Sequence, residues 1–159
     1  DAMALVPPPT SLVIIGDGPE GPTLRRRCTE LGLDDRVEFR SLPWDGTRAA
    51  DLMGSFDGFV LPSRVEGFPV TIAEAMLAGL PIVATEVGSV REAVDHGTTG
   101  WVVPSEDPAA LAAAIGELVA DPDRARAMGA AGREVASAKF TVEATVQAYL
   151  DMYRRILTP

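Results

Sequence analysis

Leu12-Val13-Ile14-Ile15-Gly16-Asp17-Gly18-Pro19 decides the fold. Four consecutive apolar residues without polar alternation suit a strand buried on both faces, as in a parallel sheet. The Gly-Asp-Gly-Pro that follows ends the run with turn chemistry. Residues 20–31 then carry a helical pattern, with Leu24, Cys28 and Leu31 on one face and Gly32 as the stop. Strand, turn and helix in this order form a βα unit, and the pattern recurs. Val37-Glu38-Phe39 reads as a second strand, and Thr47 as the N-cap of a short helix through Leu52 and Met53. Gly58-Phe59-Val60-Leu61 is a third strand, followed by a helix from about Val70 to Leu77. Ile82-Val83-Ala84-Thr85 is a fourth strand, followed by a short helix over Val90–Val94, and Trp101-Val102-Val103 is a fifth. From Asp107 onward the pattern is purely helical. Asp107-Pro108 and Asp121-Pro122 each place a capping residue before a proline at the first helical position, and Thr141 opens the last helix.

Repeated βα units followed by helices predict a doubly wound α/β domain with a parallel sheet, a single unit over residues 1–159 whose C-terminal helices span 107–157. Such sheets bind ligands in the crevice beyond the strand C-termini. The stretches expected to carry function are therefore 16–22, 40–46, 62–69, 85–89 and 104–107.

Composition narrows the classes. The 159 residues are 47% hydrophobic and 23% charged, near a globular average, and no apolar run approaches the ~20 residues of a membrane span. The formal charge of −9, from 23 acids against 14 bases, argues against a nucleic-acid module with its basic stripe. Asp1-Ala2-Met3-Ala4 lacks the basic start and apolar centre of a signal peptide. Cys28 is the only cysteine, so no internal disulfide forms, which suits a reducing cytosol. Cys28 reads as core filler and His96, before Gly97, as a helix-end residue. The expected location is cytoplasmic, with peripheral membrane attachment of a whole protein left open.

The densest chemistry lies in Ser63-Arg64-Val65-Glu66-Gly67-Phe68-Pro69-Val70-Thr71-Ile72-Ala73-Glu74. Glu66 falls in a loop, and Glu74 one or two turns into the next helix. Ionised carboxylates accept hydrogen bonds from vicinal sugar hydroxyls. The amides of residues 67–71 at a helix start suit a phosphate. The plainer reading is a solvated helix glutamate and a loop charge.

Glu66-Gly67-Phe68-Pro69 followed by Glu74-Ala75-Met76 resembles the paired-glutamate signature of retaining GT-B glycosyltransferases of group 1 (family 4). Leu12–Pro19, Val60–Ser63, Ala78–Thr85 and Gly97–Pro104 are similar to other segments of that family, so the likeness runs from about residue 11 to 157. The resemblance implies the nucleotide-sugar-binding C-terminal half of such an enzyme. In it Glu74 holds ribose hydroxyls and Glu66, the expected catalytic residue, contacts the transferred hexose. Gly67, Phe68 and Pro69 line the sugar and diphosphate pocket, Val70 and Thr71 meet the phosphates, and Arg40, Ser41 and Leu42 lie along the base. Arg40 reads equally as a plain surface charge, and Thr71 also suits a first-turn cap.

The implied substrate is a UDP- or GDP-linked sugar, with no metal and no other cofactor. The acceptor, a sugar, lipid or metabolite, would be met by an N-terminal domain not included here. The family's phosphate-binding Gly-Arg…Lys-Gly loop and the domain's first strand have no counterpart in these residues, and Arg64 is not an obvious substitute. Residues 1–10 read as the end of the first helix. A doubly wound sheet without its central first strand is expected to self-associate through the exposed sheet, rearrange, or be of low stability. By itself the chain is expected to bind a donor and to be inactive in transfer. Two alternatives are a GT-B sugar-nucleotide epimerase and a non-catalytic nucleotide-binding fragment.

Overall fold

The computed structural model of the chain describes residues 1–41 and 52–157. A 3-10 turn at Ala2–Ala4 precedes β1 (Leu12–Ile15), α1 (Gly21–Glu30) and β2 (Val37–Arg40). Then follow β3 (Phe59–Leu61), α2 (Val70–Leu77), β4 (Ile82–Thr85), α3 (Val90–Ala93) and β5 (Gly100–Val103). Three helices complete the chain: α4 (Pro108–Ala120), α5 (Pro122–Lys139) and α6 (Val142–Leu157). Leu52 and Met53 are helical, whereas the expected cap Thr47 lies outside the described residues. The helix end expected over residues 1–10 is only the single 3-10 turn. Pro7, Pro8 and Pro9 remove three amide donors and bar helical backbone in the residue before each.

Every described strand pairing is parallel, but the strands form two sheets rather than one: β1-β2, and β3-β4-β5. Within each sheet the order is that of consecutive parallel βα units. Burial follows from that arrangement. Strands β4 and β5 are buried throughout, while β1 and β3, each unpaired on one side, are half-buried.

The two faces of the larger sheet follow the period of two in β4 and β5. Val83, Trp101 and Val103 point to a core closed by Ala112, Ile115 and Leu118 of α4 and Met128 of α5. Leu12, Ile14 and Phe39 of the small sheet pack against this same core, as do Val60 and Cys28. The opposite face carries Ile82, Ala84 and Val102, covered by Ile72 and Met76 of α2, Val90 of α3 and Ala136 of α5. Leu24, expected on the inner face of α1, is 44% exposed.

The helix starts are built as their Asp-Pro signals dictate. Asp107 accepts the amides of Ala109 (3.1 Å) and Ala110 (2.9 Å), Asp121 that of Arg124 (3.0 Å), and Thr141 that of Ala144 (3.1 Å). Helix α5 lies against α2 so closely that a Cβ on Gly129 would stand 2.0 Å from the carbonyl oxygen of Gly79. There Arg133 also donates to the Leu77 carbonyl at 2.8 Å, satisfying an orphan acceptor at the C-terminus of α2.

Gly129→Ala is therefore expected to force α5 off α2 and to cost about 1–3 kcal/mol, the range of overpacked cores. Urea denaturation of the variant beside Gly116→Ala, whose added Cβ meets nothing within 4 Å, checks it. Equal stability of the two would contradict this packing.

Candidate functional site

The Glu66 loop leaves the C-terminal end of β3 and is tied to β4 within two residues. The buried Thr85 hydroxyl donates to the Ser63 carbonyl at 2.5 Å and lies 3.3 Å from that of Leu61. A second hydroxyl, from Ser105, reaches the Ser63 carbonyl at 3.5 Å. Ser63 in turn donates its own hydroxyl to Glu66 Oε1 at 2.6 Å, which fixes one oxygen of the half-buried carboxylate.

The turn between β4 and α3 supports the loop from below. Gly88 has φ +51°, and a Cβ there would stand 2.1 Å from the Glu66 carbonyl oxygen. Ser89 N–H donates to the Gly67 carbonyl at 3.1 Å. On the far side, Phe68 makes an edge contact with Phe140, ring centroids 5.2 Å apart, so the joint between α5 and α6 anchors the loop as well.

Pro69 is the residue before α2 and makes no side-chain cap. The amides of Gly67, Phe68, Val70 and Thr71 have no acceptor among the described residues. A helix start with free N–H groups favours an anion. Ile72, Ala73, Ala75 and Met76 bury one side of α2 in the core. Glu74 follows Val70 by four residues and Thr71 by three, so the three share the other side, Val70 and Thr71 exposed and Glu74 half-buried. No partner for the Glu74 carboxylate occurs among the described residues. The structure thus brings Glu66, Gly67, Phe68, buried Pro69, Val70, Thr71 and Glu74 onto one loop and helix start.

Arg40 and Ser41 stand apart from that group, at the end of β2 in the small sheet. Exposed Arg40 forms a two-pronged ion pair with Glu38, two residues back on the same strand face, at 2.5 and 2.7 Å. The hydrogen bond from Arg40 lowers the Glu38 carboxyl below its usual range and raises the guanidinium. Ser41 donates to Asp17 at 2.7 Å and so joins the loops that end β1 and β2. Leu42 lies outside the described residues. Arg64 is engaged by Glu106 at 3.1 Å.

Two other single residues have structural roles. His96 Nδ1 accepts the Val102 amide at 3.1 Å, and Cys28 is half-buried beside the core. A cavity of about 620 Å³ is lined by Ser11, Arg25, Arg36 and Phe39 among others and includes none of these site residues. It lies along α1 and reaches the N-terminal ends of β1 and β2, the end opposite to where doubly wound sheets bind ligands. A smaller one of about 190 Å³ adjoins the Glu66 loop through Pro62, Arg64 and Thr85.

The family model of glycosyl transferases group 1 matches residues 1–121. The chain belongs to that family. It is 41% identical over 134 residues to the GDP-mannose-dependent α-(1-6)-phosphatidylinositol monomannoside mannosyltransferase of Mycolicibacterium smegmatis, covering 79% of this chain and 35% of that protein. Among solved structures it superposes on Anabaena HepE in complex with UDP with a TM-score of 0.88 and 29% identity, covering 98% of this chain and 43% of that one. Sucrose-phosphate synthase from Thermosynechococcus elongatus follows at 0.84 and 32%, covering 98% and 40%. The fold is thus that of the C-terminal, Rossmann-like half of a GT-B glycosyltransferase, and the chain spans about two-fifths of the length of such relatives.

Ser63, Thr85, Gly88 and Phe140 support the Glu66 loop, and sequence reading alone does not find them in that role. The stretches 62–69 and 85–89 contain Ser63, Thr85 and Gly88 but assign none of them a role. Gly88→Ala is expected to cost about 1–3 kcal/mol through left-handed strain and collision, and to shift the amide resonances of Glu66 and Gly67. Gly97→Ala is the control: its φ is +86° but open space surrounds the added Cβ, so it loses stability without moving those two resonances.

Proposed function

We propose that the chain is the donor-binding half of a retaining hexosyltransferase and binds a nucleotide diphosphate sugar across the start of α2. The observation that carries this reading is the pairing of free amides at Val70 and Thr71 with two half-buried carboxylates, Glu66 and Glu74, on either side of them. The amides take the diphosphate, where negative charge grows as the glycosidic bond breaks. Glu74, one turn into the helix, accepts the ribose hydroxyls. Glu66, held by Ser63, accepts hydroxyls of the sugar being transferred. Gly67, Phe68 and Pro69 form the wall between sugar and diphosphate.

Arg40 and Ser41, with Leu42 next in sequence, lie along the base in this reading. The Arg40–Glu38 pair favours the plainer role of a surface charge for Arg40. We infer no metal for donor binding, since the free amides at the start of α2 face the diphosphate, and chelation is expected to leave donor binding unchanged. Transfer itself needs an acceptor positioned against the donor, worth several powers of ten in rate. We assign that step to a whole protein in which these residues are one part, cytoplasmic and acting on a sugar, lipid or metabolite acceptor.

The relatives named above differ in nucleotide, GDP-mannose for one and UDP for another. Calorimetric titration with UDP, GDP and their sugar conjugates decides between them. One nucleotide is expected to saturate the chain. Glu74→Ala should weaken it about 10- to 100-fold, the loss of a charged hydrogen bond, with the melting temperature retained. Glu66→Gln should weaken the sugar conjugate and leave the free nucleotide diphosphate unaffected. Saturation by neither nucleotide, or equal binding by Glu74→Ala, would refute the assignment.

A further inference from the structure

The backbone of the Glu66 loop is held by contacts that do not use the Ser63 hydroxyl. Thr85 and Ser105 donate to the Ser63 carbonyl at 2.5 and 3.5 Å, and Ser89 N–H donates to that of Gly67 at 3.1 Å. Phe68 meets Phe140 with ring centroids 5.2 Å apart. The Ser63 hydroxyl itself donates to a side chain, Glu66 Oε1, at 2.6 Å. A hydroxyl carries a single proton, so that bond takes its whole donor capacity.

The consequence falls on the carboxylate. A glutamate without a partner turns among several rotamers and offers both oxygens. With Oε1 taken by Ser63 the group is held in one setting, and Oε2 has no partner among the described residues. Arg64, next in sequence, is turned to Glu106 at 3.1 Å, and no cation pairs with Glu66 among the described residues. The half-buried carboxylate therefore keeps its strength as an acceptor and presents it in one direction.

We propose that Ser63 is a positioning residue that selects the configuration of the donor sugar, by aiming one oxygen of Glu66 at one hydroxyl. This rests on the donor-binding reading above and adds to it the feature of the sugar that is read. A loose carboxylate follows an axial or an equatorial hydroxyl alike. A fixed oxygen forms a short, well-aligned bond with only one of them. A site built around one hydroxyl discriminates against the epimer, because the wrong isomer leaves a desolvated acceptor unpaired. Thr85 acts one step further back: it is 4% exposed and fixes the Ser63 carbonyl to β4, which sets the point from which the Ser63 hydroxyl reaches out.

Calorimetric titration of the 159-residue chain tests this with free GDP and UDP and with the glucose, mannose and galactose conjugates of each. Mannose and galactose each differ from glucose in the configuration of one hydroxyl. The wild type is expected to prefer one of the three sugars on its nucleotide. In Ser63→Ala that preference falls about three- to ten-fold, the worth of one hydrogen bond, with free-nucleotide affinity and melting temperature unchanged. Ser63→Thr keeps the hydroxyl and restores the preference. A residue that only braced the loop would instead lower the melting temperature and weaken free nucleotide and all conjugates together. That outcome would overturn the proposal, as would an unchanged preference in Ser63→Ala or a wild type that binds the three sugars alike. A wild type that binds no nucleotide would overturn the donor-binding reading itself, and this proposal with it. A ligand-free measurement reads the fixing directly. The two γ-methylene protons of Glu66 are expected to have distinct NMR shifts in the wild type and Ser63→Thr and to merge in Ser63→Ala. Merged shifts in the wild type would show a carboxylate that Ser63 does not hold, and would overturn the proposal as well.

Discussion

The hydroxyl of Thr85 donates to the carbonyl of Ser63, and that bond sets the candidate site on the central strand of the larger sheet. Strand β4 is buried on both faces and paired on both edges, so its C-terminal end has nowhere to drift. Thr85 passes that fixed position to Ser63 across 22 residues of sequence. Ser63 passes it to Glu66 across three more, through its own hydroxyl. Gly88 and Ser89, just beyond β4, hold the same loop from the other side. The orientation of one carboxylate thus rests on a short relay of hydroxyls and a glycine, all referred to a single buried strand. Preorganisation of this kind matters because a donor group held in place needs no reordering when a ligand arrives.

The small sheet is held quite differently. No backbone ladder joins β1-β2 to β3-β4-β5, so its attachment is by side chains and turns. Val37 and Leu33 enter the shared core, and the 3-10 turn buries Ala2, Met3 and Val6 against it. Arg36 ties the segment ahead of β1 to the start of β2 by donating to the carbonyls of Val6 (2.8 Å) and Thr10 (3.0 Å). Side-chain contacts of this sort give a sub-globular unit its own, lower opening free energy. Arg40, Ser41 and Asp17 ride on that unit, whereas Glu66 and Glu74 ride on the larger one. A ligand touching both sets would therefore gain affinity from whatever makes the two sheets one body.

Much of this was legible in the sequence for local reasons. Ile82–Thr85 reads as a buried strand because four consecutive apolar or small residues suit a strand covered on both faces. The starts of α4 and α5 were readable because an Asp before Pro leaves few other conformations. The spacing of Glu66 and Glu74 marked the loop and helix start. The rest depends on contacts between distant residues. Nothing local says that Thr85 meets Ser63, or that Phe140 packs on Phe68. Gly88 can be read as a turn, but its close approach to the Glu66 carbonyl is a property of two strands brought side by side. The split into two sheets was not read from local sequence, since every strand run looks alike.

An acidic chain is an unpromising host for a diphosphate, yet local sign varies along the start of α2. The net charge of −9 is spread over a surface where screening removes most of its reach beyond ~10 Å. Within the site, sign varies over a few residues: Glu66, then the free amides around Val70 and Thr71, then Glu74. In the proposed function a phosphate sits between the carboxylates, at N–H groups with no acceptor among the described residues, and each carboxylate faces a neutral hydroxyl pair. A ligand matching that order carries hydroxyls, then negative charge, then hydroxyls again. A sugar linked through a diphosphate to a ribose has that order, and an isolated phosphate or a free sugar satisfies only part of it.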